Sequence, residues 1–302
     1  MPELVDRTVH IAAEILKNHA MGFQVVREYR RTRAGYPDVD SAVAAVRRTS
    51  EFYDKYLKIA SGREDPVQGK RVLEVGPGSN LGLLLWFLAR GAVSGTAIDR
   101  FPDLLPTPQL QALHHAIAAR WPASMQQRVE DLVGLPAQRF ERDDCRLKYR
   151  PNLALEAATH QLSGQFDIVV SYGVLGLIRD IPGTSRELYR LLSPGGVMVH
   201  RVHHGTHGRI DGVRAGILHQ YTYSERLWQM MYSNRGGPNR QPARAYRKAC
   251  QEAGLEDVQV IPVQQVPINL IERSRPLLHP QFRTRSAEDL CIHASALLAR
   301  RP

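Results

Sequence analysis

From Arg71 onward, short apolar runs alternate with helical stretches, and that alternation leaves few folds open to the chain. The run "RVLEV" (Arg71–Val75) reads as a buried strand, and "NLGLLLWFLARG" as a helix stopped by Gly91. A second strand, "AVSGTAID", precedes the helix "PTPQLQALHHAIAARW"; "CRLKY" is a weaker third strand and "FDIVVS" a clear fourth. The helix "RELYRLLSPGG" carries its own stop signal, and "VMVHRV" follows as a fifth strand. After the helix "PARAYRKACQEAG" come the strand "LEDVQVIPV" and the tail "CIHASALLARR", which we read as a last strand. Strands apolar on both faces and separated by helices belong to a parallel sheet covered on both sides, an α/β doubly wound fold. With 302 residues the chain can bury one large core, or a core and a smaller cap.

Residues 1–68 carry helical signals only. Val5, Val9, Ala12 and Leu16 recur at helical spacing, and Leu4, Ile11 and Ile15 widen the stripe. A second pattern, "SAVAAVRRTSEFYDKYLKIA", follows the breaker "AGYPDVD". We therefore expect an N-terminal helical cap over 1–68 and a main domain over 69–302, with an inserted lid segment at about 204–245. Tyr53 of the cap is a candidate substrate contact.

The formal charge of +10 comes mostly from arginines scattered along the chain. A dense basic face would suggest nucleic acid; scatter does not, and "REYRRTR" reads as a solvated helix end. Nucleic acid is thus disfavoured as a partner, while a homodimer is allowed. No run reaches the roughly 18 apolar residues of a membrane span. The acidic, amphipathic start resembles no signal peptide, and Cys145, Cys250 and Cys291 lie far apart, so a cytoplasmic protein is expected.

The bend after the first strand narrows the ligand. Gly76-Pro77-Gly78 between strand and helix presents backbone amides to whatever approaches. A dinucleotide fingerprint would place its third glycine at Leu81, but the next glycine is Gly82, so a pyrophosphate is disfavoured. Glu74 at the strand end suits an ammonium rather than phosphates. Asp99, ending the next strand, suits the two hydroxyls of a ribose. A sugar joined to a cationic amino-acid tail is S-adenosylmethionine. The bland reading, that Glu74 and Asp99 merely cap strand ends, loses to the motifs around them.

Those motifs, "VLEVGPGSNLG", "GTAIDRF", "FDIVVSYGVLGLIRDI" and "RELYRLLSPGGVMVHRV", resemble in order those of class I S-adenosylmethionine-dependent methyltransferases. The resemblance covers about Arg71 to His203. It implies a seven-stranded, mostly parallel sheet with an antiparallel last strand. It also implies S-adenosylmethionine as cofactor, leaving as S-adenosylhomocysteine, with Glu74, Gly76, Pro77, Gly78 and Asn80 around its tail. Asp99 and Arg100 would stand at the ribose, Ser171 and Tyr172 near the methyl donor, and the segment Tyr149–Asn152 at the adenine. Many small-molecule members read "VLEH" where this chain reads "VLGL" (Val174–Leu177), so no acid or histidine there can do chemistry.

The stretch "HRVHHGTHGRID" brings His200, His203, His204 and His207 to the carboxyl edge of the sheet. Methyl transfer is an in-line displacement that needs its nucleophile about 3 Å from the carbon. A hydroxyl or ammonium acceptor also needs a base, and histidine titrates in the right range. One of the four is the expected general base; the bland alternative is a polar loop with His200 buried. His203 and His207 could share a metal only on a helix, which Gly205 and Gly208 oppose, so no metal is expected. In the insertion, Trp228, Met230, Met231 and Tyr232 make an apolar wall, more readily cap core than substrate cage. Trp228, Arg235, Asn239 and Arg240 are the substrate candidates there, the arginines for a carboxylate or phosphate. The expected function is O- or N-methylation of a small polar biosynthetic metabolite, of natural-product or saccharide type. An RNA methyltransferase and a non-catalytic S-adenosylmethionine-binding protein are the alternatives.

Overall fold

The computed structural model describes residues 2–23, 38–162, 164–205, 216–234 and 237–302. Seven strands build one sheet: β1 (Arg71–Val75), β2 (Ser94–Asp99), β3 (Leu147–Pro151), β4 (Phe166–Tyr172), β5 (Leu192–His203), β6 (Glu256–Gln265) and β7 (Ile292–Arg300). Their order is β3-β2-β1-β4-β5-β7-β6. Strands β1 to β5 pair in parallel, and β7 runs antiparallel to both β5 and β6. The chain winds outward from β1 to β3 and then returns to the other side of β1. That reversal opens a crevice beyond the carboxyl ends of β1 and β4, the place where doubly wound sheets bind ligands.

Side chains alternate between the two faces of a strand, so sequence parity sorts them. Val72, Ala97, Ile168, Val170, Val197 and Val199 belong to one core cluster; Leu73, Val75, Ile98, Val169, Met198 and Val202 belong to the other. The first face is covered by the helices Val39–Ser61, Gly82–Ala89 and Thr107–Ala118. Gly82–Ala89 is buried on every side, which fits its unbroken apolar sequence. The second face is covered by Ile181–Leu191 and Ala243–Glu252, which present Leu188, Leu191 and Tyr246.

The two N-terminal helices have different neighbours. Val39–Ser61 packs against β5, β7 and the helices Gly82–Ala89 and Thr107–Ala118, with Tyr53 and Leu57 in the main core. Pro2–Ala20 packs on the insertion helix Glu225–Tyr232. There the Asn18 amide donates to the Met230 carbonyl and the Ser233 hydroxyl, both at 2.9 Å.

The "SPGG" segment, read as a turn, is drawn into an irregular start of β5. Gly195 takes φ 73° and the pairing with β4 slips between Phe166 and Ile168. Gly195 N and Gly196 O bond the backbone of Arg301, which holds this start in the sheet. Short helices that the sequence pattern did not announce, Ile268–Ser274 and Ala287–Cys291, fill the link from β6 to β7. No helix among the described residues is long and apolar enough to cross a membrane.

Candidate functional site

The bend after β1 is held by conformation rather than by side chains. Gly76 and Gly78 both lie in the left-handed region, at φ 71° and 70°. A Cβ on Gly76 would stand 2.5 Å from Val174 Cγ2, so only glycine lets the loop close onto the segment after β4. A Cβ on Gly78 would meet nothing within 4 Å, which leaves open space for a ligand on that side. The Gly76 amide donates to the Ile98 carbonyl at 2.9 Å, tying the bend to β2. Asn80 accepts from the Gly82 amide at 2.9 Å, so its side chain secures the start of the following helix.

Parity then gathers the chemistry. Glu74, Asp99, Tyr172, Arg201 and His203 follow Val72, Ala97, Val170 and Val199 at even spacing, so all five leave the sheet on the face covered by Val39–Ser61. Glu74 is 5% exposed and its Oε2 has no hydrogen-bond partner. Burial, with Asp99 nearby, pushes its pKa up to about 8. Asp99 accepts from the Phe101 amide at 2.9 Å, yet burial and the neighbouring Asp103 hold its pKa up at about 6. No lysine or arginine among the described residues pairs with either carboxylate. A buried carboxylate without a counter-charge is costly, and a ligand that brought a cation and hydroxyl donors would satisfy the pair. The ammonium and ribose of S-adenosylmethionine fit that demand. Arg100, beside Asp99, is exposed with its guanidinium over Phe101. Tyr149 is buried near Asp99, with its hydroxyl pKa raised by burial and then by that carboxylate.

Near Glu74, the helix Val39–Ser61 contributes Tyr53. Its side chain is fully buried and its hydroxyl has no partner. Burial raises its pKa well above the usual phenol value; Glu74 and Tyr172 act the same way, and Arg201 opposes them. Phe52 bridges to the crevice, edge-on to Tyr172 at 5.9 Å. Tyr172 in turn lies under the Arg201 guanidinium at 4.7 Å and edge-on to His203 at 6.4 Å. Arg201 Nη1 is hydrogen-bonded to His203 Nε2, and since a guanidinium only donates, Nε2 is the acceptor. Arg201 was not among the sequence candidates; its signal is a charged residue two positions before His203, following the apolar run Val197–Val199.

The other histidines stand apart. His200 leaves β5 on the opposite face, where its Nδ1 is 2.8 Å from Ser171 Oγ. Burial drives its pKa down to about 3, so the ring stays neutral. His204 donates from Nδ1 to the Gln241 carbonyl at 3.2 Å and accepts at Nε2 from Ser295 at 2.9 Å. Burial holds its pKa down at about 4. His207 and Arg235 lie outside the described residues.

The remaining candidates are committed to the scaffold. Trp228 donates to the Pro238 carbonyl at 2.9 Å and packs between Tyr223 and Tyr232. Asn239 Nδ2 contacts the carbonyls of Leu175 and Ile178 at 3.1 and 2.6 Å, fixing the turn after β4. Arg240 is buried, donating to the carbonyls of Gln220 and Tyr223 at 3.0 and 2.8 Å and pairing with Glu225. A surface cleft lined by Ile59–Gly62, Asp257–Gln259 and Arg300 opens at the other edge of the sheet, since Arg300 pairs with Val197 at the start of β5.

A family model described as a methyltransferase domain matches residues 45–260. Similar solved structures include phosphoethanolamine N-methyltransferase 2 of Haemonchus contortus, in complex with phosphomonomethylethanolamine and S-adenosylhomocysteine. It is 17% identical with a TM-score of 0.44, covering 78% of this chain and 50% of that one. The chain thus spans half the length of that structure. An S-adenosylmethionine-dependent methyltransferase from Mesorhizobium loti is also 17% identical, with a TM-score of 0.40, covering 78% of this chain and 92% of that one. No curated protein matches the chain.

Proposed function

The chain belongs to the family of class I S-adenosylmethionine-dependent methyltransferases, and on that premise we propose that it methylates an oxygen or nitrogen of a small polar biosynthetic metabolite. The observation that carries this reading is the pair of carboxylates, buried Glu74 and half-buried Asp99, standing without counter-charge among the described residues beside the Gly76–Gly78 bend.

When bound, S-adenosylmethionine supplies an electrophilic methyl carbon beside a sulfonium leaving group. The rest is the work of the chain. Glu74 would accept hydrogen bonds from the ammonium of the methionine tail, and Asp99 would accept them from the ribose hydroxyls. Tyr53, Phe52 and Tyr172 wall the side from which an acceptor must arrive, and they exclude water there.

His203 is the general base in this reading. It is the described histidine that shares a face with Glu74 and Tyr172, whereas His200 and His204 are neutral members of the scaffold. Its task is to take the proton of a hydroxyl or ammonium acceptor as the new bond to carbon forms. An acceptor already nucleophilic, such as a carboxylate or thiolate, would not need it.

Calorimetry of the purified chain tests the reading. S-adenosylmethionine and S-adenosylhomocysteine should each bind at one site, and Glu74→Gln should weaken both. Heat from NADH or ATP with none from either of these ligands would overturn it.

A further inference from the structure

Arg201 has a place in the site that the proposed function leaves unexplained. It leaves the last turn of β5 on the crevice face, two residues before His203, and is half-buried. Its guanidinium rests on the Tyr172 ring and donates one hydrogen bond, to His203 Nε2. No carboxylate among the described residues pairs with it. The one buried carboxylate close by, Glu74, is the acid that the cofactor's ammonium claims. A stacked guanidinium holds its fork in a fixed plane and suits two oxygens of a carboxylate or phosphate. The buried Tyr53 hydroxyl, unpartnered and kept protonated by its surroundings, is a second donor close by, its ring meeting Phe52 at 5.2 Å, which in turn meets the Tyr172 ring at 5.9 Å.

Resting on the methyltransferase reading, we propose that Arg201 and Tyr53 anchor an oxyanion of the methyl acceptor, a carboxylate or a phosphate. The acceptor class is thereby narrowed to small anionic metabolites. The same contact couples recognition to chemistry. The Arg201 proton donated to His203 Nε2 occupies the lone pair that a base needs. An oxyanion that takes over the guanidinium withdraws that proton, and Nε2 turns to the acceptor's own O–H or N–H. An uncharged look-alike leaves Arg201 where it is, so it is both weakly held and poorly deprotonated. Arg201 is in this sense an anchor for the acceptor and a positioning residue for His203.

The test uses the full chain saturated with S-adenosylhomocysteine and titrated with inorganic phosphate or with acetate. At least one of the two should bind at a single site with an affinity on the order of millimolar. Arg201→Gln should weaken it at least about tenfold and Tyr53→Phe by a smaller factor, while Arg201→Lys retains part of it. Arg186→Gln, an exposed charge elsewhere, should change nothing. The preferred anion tells a phosphate from a carboxylate source. In 15N spectra the anion should shift a histidine ring signal that is missing in His203→Asn, and should not do so in Arg201→Lys or Arg201→Gln. Binding of S-adenosylhomocysteine with no anion site, or an anion site indifferent to Arg201, overturns the assignment and leaves the methyltransferase reading standing. Failure to bind S-adenosylhomocysteine removes both.

Discussion

Glu74 pairs in register with Ala97, which places Asp99 two residues further along the neighbouring strand and on the same face. Burial raises both pKa values, and a neighbouring carboxylate adds to each rise, Asp99 at Glu74 and Asp103 at Asp99. Cofactor binding and stability should therefore both depend on pH, in a direction that the two shifts fix.

Below pH 8 the empty site holds Glu74 mostly protonated, and an ammonium ligand must displace that proton. Affinity for S-adenosylmethionine should climb as pH rises from 6 to 8, by up to about tenfold per unit, and then level off. Calorimetry in buffers of different ionisation enthalpy should detect about one proton released at pH 7. Glu74→Gln should bind weakly at every pH with a flat profile.

Stability of the ligand-free chain should show the opposite slope. A carboxyl whose folded pKa exceeds its unfolded value stabilises fully below the unfolded value and loses that contribution as pH rises through the folded one. For Glu74 the window runs from about pH 4.5 to 8, and for Asp99 from about 3.8 to 6. Glu74→Gln should then be more heat-stable than the parent at pH 8, by roughly a few kcal/mol. Thermal denaturation at pH 6 and pH 8 gives the comparison; an equal melting temperature for both proteins at pH 8 would contradict it.

His203 and His204 should separate function from structure. His203→Ala is expected to slow methyl transfer by about a hundredfold while leaving affinity for S-adenosylmethionine within a factor of two. His204→Ala removes two buried hydrogen bonds and leaves the Gln241 carbonyl and the Ser295 hydroxyl without this partner, and should cost about 2–4 kcal/mol of stability. Chemical denaturation of the two variants, beside a turnover assay, makes the distinction.

Gly76→Ala should fail for two reasons, a positive φ and a clash with Val174, together about 2–4 kcal/mol. Val174→Ala in the same chain should restore part of the loss, because it removes the clash and leaves the strain. Additive losses in the double variant would mean that Val174 is not the obstacle.

Much of this was legible in the residues. The strands could be read because burial on both faces makes them continuously apolar, and the ligand because two acids stand at strand tips around a glycine bend. The inward turn of loop side chains could not be read. Asn239 and Arg240 sit on a glycine-proline turn that looks solvated, yet the backbone carbonyls of Leu175, Ile178, Gln220 and Tyr223 draw them inside. Arg201 escaped notice for another reason: it stands among histidines that draw the eye first, and what gives it meaning, the Tyr172 ring beneath its guanidinium, is brought to it only by strand pairing and parity.

The strand nearest the C-terminus, β7, lies between β5 and β6 rather than outside them. Until it docks, the strand that presents Arg201 and His203 has a bare hydrogen-bonding edge. Assembly of the acceptor side must therefore await the synthesis of β7, and a ribosome-bound chain stalled before Ile292 should expose a sticky, incomplete half-site to chaperones.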